Sequence, residues 1–219
     1  MELAEKGRKK MRPEKVKEMT AADRKNRDRE HGFTVIELAI VMVIIGLLIG
    51  VVIKGHSMIE NARYKAVINQ ANDLTNAYHT YLHQYGKYPG DDNTAVNRWA
   101  ASANGNNNGR IDAAEPFLAN QHLALAGIIT GTYNGTTQAI PIPRYSGNAS
   151  FISAFEIAAA PFTGLQGLCT NVIRFTALPA EAAQTLDTAL DDGTWNTGKV
   201  RADAAYTPDT TIANTALCL

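Results

Sequence analysis

Oxygen-bearing side chains recur at alternate positions in Asn104-Gly105-Asn106-Asn107-Asn108-Gly109-Arg110-Ile111-Asp112-Ala113-Ala114-Glu115. Laid on a twelve-residue calcium loop, Asn104, Asn106, Asn108, Asp112 and Glu115 stand at positions 1, 3, 5, 9 and 12, and Arg110 offers its carbonyl at position 7. Gly109 falls on the tight turn and Ile111 on the apolar position eight. Ca2+ takes six to eight oxygens, which this set supplies with water. Asn replaces the usual Asp at the start, so only Asp112 and Glu115 carry charge, with Asp91 and Asp92 in a nearby turn. The same stretch also reads as a surface loop of residues that tolerate left-handed backbone. Nothing else in the chain calls for a cofactor, and the role expected of Ca2+ is to stabilise the structure.

The remaining reactive residues point away from catalysis. His79 and His83 are four apart, so on a helix they share a face and can bind a metal. Without a Glu-containing zinc-protease motif or a third ligand nearby, they read as a solvated face. His56 follows an apolar run, and His122 opens the segment Leu123-Ala124-Leu125-Ala126. There is no nucleophile elbow, phosphate loop or Cys–His pairing, and the chain is not read as an enzyme.

The sharpest anomaly is a carboxylate. Phe33 to Ile53 is a run of 21 residues in which Glu37 is the single charge. As a helix it extends roughly 31 Å, about the thickness of a bilayer's hydrocarbon core. A buried carboxylate there costs on the order of a few kcal/mol, so it points to a partner. Residues 1–32 carry eleven Lys/Arg against seven Asp/Glu, a net +4, and the remainder balances at −4. A basic leader before an apolar span predicts a cytoplasmic N-terminus and an outer C-terminal part. The apolar run is too long for a secretory signal, and no small-residue cleavage site interrupts it. Acidic residues mixed into the leader argue against nucleic-acid binding. Met11 and Met19 are alternative starts, and translation from Met19 would leave a leader of 14 residues.

These residues must be positioned by a long helix. Ile59, Ala62, Ala66/Val67, Ala71/Leu74, Ala77/Tyr78, Tyr81/Leu82 and Tyr85 recur at three- and four-residue steps. No Pro occurs between Pro13 and Pro89, so the pattern predicts one helix from Phe33 to about Tyr85, roughly 80 Å long. Gly86-Lys87-Tyr88-Pro89-Gly90-Asp91 stops it. Beyond, short β-prone runs (Ala139–Ile142, Phe151-Ile152, Thr170–Phe175) alternate with Gly, Asn and Pro, which predicts a small antiparallel sheet. Pro179 to Leu190 reads as a short helix.

His31-Gly32-Phe33-Thr34-Val35-Ile36-Glu37 and the apolar run behind it resemble the type IV prepilin family, which includes major and minor pilins and type II secretion pseudopilins. The resemblance implies an α+β, pilin-like fold: a long N-terminal stem helix, membrane-spanning in its first half, packed on a small antiparallel-sheet head. It divides the chain into a leader (1–32) that is removed, a membrane or filament-core helix (33–53), its amphipathic continuation (54–85) and a head (86–219). A prepilin peptidase would cut between Gly32 and Phe33 and methylate the Phe33 amine. Glu37 would face the Phe33 amine of a neighbouring copy. The implied partners are an inner-membrane assembly platform, the membrane before assembly, and copies of this chain or other pilins in a helical filament. Family members often carry a Pro where Lys54-Gly55 stands here.

Cys169 and Cys218 are the only cysteines. An even count in an oxidising compartment argues for a disulfide, and the pair resembles the C-terminal disulfide-bounded loop of many pilins. Two buried free thiols are the alternative. The expected function is a structural subunit of an extracytoplasmic filament, inserted in the inner membrane before assembly and found afterwards in an extracellular or periplasmic filament. The Cys pair favours a pilin; Gly-x-Tyr-Pro and the calcium-like loop favour a pseudopilin. A membrane-tethered module binding a ligand or DNA is the alternative of a different class.

Overall fold

The computed structural model describes residues 32–157 and 160–219, so the leader reading falls largely outside the described residues. The chain divides into two units at Gly55. Helix α1, Val35–Tyr85, contributes to both.

In the first unit α1 is apolar on every side and its large side chains from Val35 to Ile53 are exposed. By length and composition α1 can cross a membrane. It starts at Val35, two residues later than the pattern predicted, because Thr34 caps it. The Thr34 N–H (2.7 Å) and Oγ1 (2.9 Å) both donate to Glu37 Oε2, while the Glu37 N–H donates to Thr34 Oγ1 at 3.3 Å. This reciprocal capping box satisfies donors that a helix start otherwise leaves unpaired.

In the second unit α1 buries Val67, Ala71, Leu74, Ala77, Tyr78 and Tyr81, which fall on one stripe. Ile59 and Ala62, expected on that stripe, are exposed, and burial begins only at Val67. The helix ends at Tyr85, and Gly86 follows with φ +66°, a left-handed stop that suits glycine.

Two short helices follow, α2 (Ala95–Arg98) and α3 (Glu115–Leu125). The sheet comprises β1 (Ile140–Pro141), β2 (Asn148–Ser153), β3 (Asn171–Pro179), β4 (Val200–Ala202) and β5 (Thr211–Cys218). Its spatial order is β1-β2-β3-β5-β4 and every pairing is antiparallel. Helix α4, Ala180–Leu190, begins as β3 ends.

Alternation along the strands gives the sheet two apolar faces. Phe151, Ile173, Phe175, Val200 and Leu217 join the α1 stripe in the main core. Ile152, Val172 and Ala216 point the other way, onto Phe162 and Leu165 of a 3-10 turn, Phe162–Gly167. The C-terminal segment is strand β5 between β3 and β4. Its Ile212, Thr215, Ala216 and Leu217 are buried.

Cys169 and Cys218 are disulfide-bonded with Cα atoms 5.8 Å apart, joining the residues just before β3 to the end of β5. A cross-link spanning 49 positions removes chain entropy from the unfolded state worth roughly 4 kcal/mol in the loop-closure model. Cys169→Ser/Cys218→Ser is expected to lower unfolding stability by about 2–4 kcal/mol, read by denaturant titration of the whole chain. An unchanged midpoint would show that the β3–β5 ladder alone holds the terminus.

Candidate functional site

Gly32 and Phe33 precede α1 outside regular secondary structure and are exposed, Phe33 by 82%. Glu37 lies in the first turn, its Oε2 held by Thr34. Its Oε1 has no hydrogen-bond partner among the described residues.

In the head, a second polar constellation forms around the turn after α1. His122, fully buried on α3, accepts the Gly90 N–H at Nδ1 (3.0 Å) and meets the Ala103 carbonyl with Nε2 (2.9 Å). A carbonyl only accepts, so Nε2 carries the proton and the neutral ring is fixed in one tautomer. It stacks on Tyr81 at 6.1 Å. Gly90 itself, at φ +89°, has no room for a side chain: a Cβ would strike the Glu115 carbonyl and Ala119.

Next in the turn, the buried Asp91 carboxylate accepts the N–H groups of Asn108 (2.9 Å) and Gly109 (2.7 Å). Asp92, fully buried, accepts from Tyr81 OH at 2.8 Å and from Thr94 N–H and Oγ1 at 2.8 and 2.7 Å, and pairs with Arg98. Burial raises the Asp92 carboxyl, but the Thr94 and Tyr81 hydrogen bonds and the Arg98 charge outweigh it and hold the group below the usual range.

The turn therefore organises the Asn-rich loop. Buried Glu115 accepts the Asn106 N–H at 2.8 Å and the Asp112 N–H at 3.1 Å. Asn106 and Asn108 donate their side-chain amides to Asp112 at 3.2 and 2.9 Å, and their Oδ1 atoms accept the N–H groups of Asn108 and Arg110. Asn106, Asn108, Asp112 and Glu115 thus come together. Asn104 does not join them: its Oδ1 accepts the Val96 N–H at 2.9 Å, on α2. Arg110 sends its guanidinium over the Phe155 ring at 4.0 Å. Asp91 brings a further carboxylate against the loop at Asn108 and Gly109. Burial, with repulsion from Asp112, pushes Asp91 up despite its backbone hydrogen bonds; burial and repulsion from Asp91 and Asp112 push Glu115 up. All these side chains offer oxygen, the donor type a hard cation takes.

Asn171 was not singled out by the sequence. At the start of β3 its Oδ1 accepts the Ile111 N–H (2.9 Å), and its amide donates to Tyr78 OH (3.0 Å) and to the Gly109 carbonyl (3.3 Å). One buried side chain joins stem helix, loop and sheet.

Elsewhere, Asp187, Asp191 and Asp192 bring carboxylate oxygens within 4.8 Å of one another. Tyr206 OH and the Gly193 N–H occupy Asp187, the Lys199 and Val200 N–H groups occupy Asp191, and Thr194 and Thr197 occupy Asp192. The cluster secures the turn between α4 and β4. His122, which opens the apolar segment Leu123–Ala126, lies within α3. His79 and His83 are exposed on α1.

A family model described as the prokaryotic N-terminal methylation motif matches residues 27–53. No curated protein and no solved structure matches the chain.

Burial lowers the His122 pKa against the opposing pull of its Ala103 hydrogen bond and the Asp92 charge, while Arg98 lowers it further. Below the ordinary value of about 6.5 the unfolded chain takes up a proton that folded His122 refuses. Its contribution is therefore intact above that value and is lost as pH falls towards the lower folded pKa. His122→Gln, which can keep both hydrogen bonds, is expected to flatten the fall in unfolding midpoint between pH 7 and pH 5. An unchanged slope would assign the acid sensitivity to other groups.

Proposed function

We propose that this chain, a type IV pilin-like or pseudopilin subunit by its N-terminal methylation motif, is a structural building block of an extracytoplasmic filament of the pilin type. The carrying observation is the exposed apolar first half of α1 with Glu37 in its first turn. A helix of that kind has two ways out of water, lipid before assembly and other helices afterwards. Burial in a filament core stabilises by about 25 cal/mol per Å2 of apolar surface removed from water. The disulfide supports the pilin reading over the secretion pseudopilin.

Each residue at the junction has a task. Gly32, without a side chain, lets the backbone extend into the cleft of a membrane peptidase. Cleavage before Phe33 creates a cationic amine, which is then methylated. Thr34 holds Glu37 through Oε2, which leaves Oε1 for the Phe33 amine of a neighbouring copy. Low dielectric strengthens that attraction, and a lone charge in the core is the costly state, so the pair sets axial register.

Sheared extracellular material from the native host is expected to contain an N-methylated Phe33 peptide, identified by mass. The same peptide confined to membranes would favour a pseudopilin or low-copy subunit. An uncleaved leader in membranes would overturn the filament reading in favour of a tethered binding module. Glu37→Ala is expected to insert and be cleaved yet give few filaments, since an unpaired buried amine costs about 3–5 kcal/mol.

The head loop is proposed to hold Ca2+ through Asp91, Asn106, Asn108, Asp112 and Glu115, a reading supported by the all-oxygen donor set and by the repulsion among the Asp91, Asp112 and Glu115 carboxyls. Bound calcium would neutralise their mutual repulsion and fix the loop against Asn171. At a hundredfold excess over Kd, Ca2+ is expected to add about 2.7 kcal/mol of stability relative to chelator, and Mg2+ much less. The gain should vanish in Glu115→Gln. Equal melting temperatures with Ca2+ and chelator would leave the loop a hydrogen-bonded turn.

A further inference from the structure

The exposed side of α1 opposite its buried stripe carries a shallow, open groove lined by Asn76, His79, Thr80, His83 and Gln84. His79 and His83 are separated by one helical turn, which sets their Cβ atoms about 6 Å apart on one face. Neither imidazole has a hydrogen-bond partner among the described residues, so its nitrogens are available. The backbone beneath them is held in place, because Ala77, Tyr78 and Tyr81 on the same turns are locked in the core. The His79 and Tyr78 rings also meet in a T-shaped pair with centroids 5.3 Å apart, which restrains the imidazole. Asn76 lies three residues before His79 on the same face and also lines the groove.

We propose that His79 and His83 chelate a divalent late transition metal, with water and the Asn76 amide as the remaining donors. Imidazole nitrogen suits copper, nickel and zinc, and poorly suits calcium or magnesium. Affinity follows the Irving–Williams order, with Cu2+ ahead of Ni2+ and Zn2+. Only the helix presents both rings in register, so the metal binds the folded chain and stabilises it. The site is chemically distinct from the oxygen-lined loop, and each discriminates against the other's metal.

The test is titration of the full chain in detergent with CuCl2, followed by electron paramagnetic resonance, and with ZnCl2, followed by calorimetry. The expected result is one site with two imidazole nitrogens on copper, and affinity at least about tenfold lower in both His79→Ala and His83→Ala, the loss typical of disturbing a metal site. Zn2+ should raise the unfolding midpoint of the wild type and of His56→Ala, but not of either groove variant. Both histidines are exposed, so far-UV circular dichroism of the variants is expected to match the wild type. Wild-type affinity in either groove variant, a one-imidazole spectrum, or loss of binding in His56→Ala alone would overturn the assignment.

Discussion

Val67, Ala71, Leu74, Ala77, Tyr78 and Tyr81 must leave water together, and the head exists to let them do so. A lone helix with such a stripe gains little, since most helical stability in proteins comes from packing one face. The inner face of the sheet supplies the matching surface, with Phe151, Ile173, Phe175 and Leu217 in the same core. Once that seam closes, the Tyr78 and Tyr81 hydroxyls are carried inside and need partners. Asn171 meets the first and Asp92 the second. The polar architecture of the head therefore follows from its apolar seam.

The turn at Pro89–Asp92 turns that necessity into order. Gly90 lets α3 approach closely, His122 fastens the turn, and Asp91 and Asp92 face opposite tasks. Asp92 is matched by a cation and hydroxyls, which keeps it charged inside the protein. Asp91 is matched by backbone N–H groups alone, and burial, with repulsion from Asp112, pushes its pKa the other way. Two adjacent aspartates thus divide between an ion pair and a carboxylate that holds the loop backbone.

The first unit obeys the reverse constraint. Its apolar side chains are exposed, and the polar feature is local: Thr34 and Glu37 satisfy each other across one turn. A carboxylate in an apolar helix is tolerable when its hydrogen bonds are made within its own chain, as Glu37 Oε2 makes them with Thr34.

Features carried by neighbouring residues were legible in the sequence. The Gly32-to-Glu37 motif, the 21-residue apolar run, the stop at Gly86, the α4 helix and the cysteine pairing all followed from spacing of a few residues or from compartment logic. Strand β5 escaped notice because Thr, Ala and Asn dilute its alternation, and its burial comes from lying between β3 and β4. Asp91 replaces Asn104 beside the loop because α2 claims Asn104 and the turn delivers Asp91 from 17 residues upstream of Asn108. Asn171 and His122 read as ordinary polar residues until the chain closed around them. Sequence determines what a residue can bond and what its near neighbours will form. Which distant group it meets is decided by the packing of the apolar stripe, because burial removes water as the default partner and leaves only what the fold brings near.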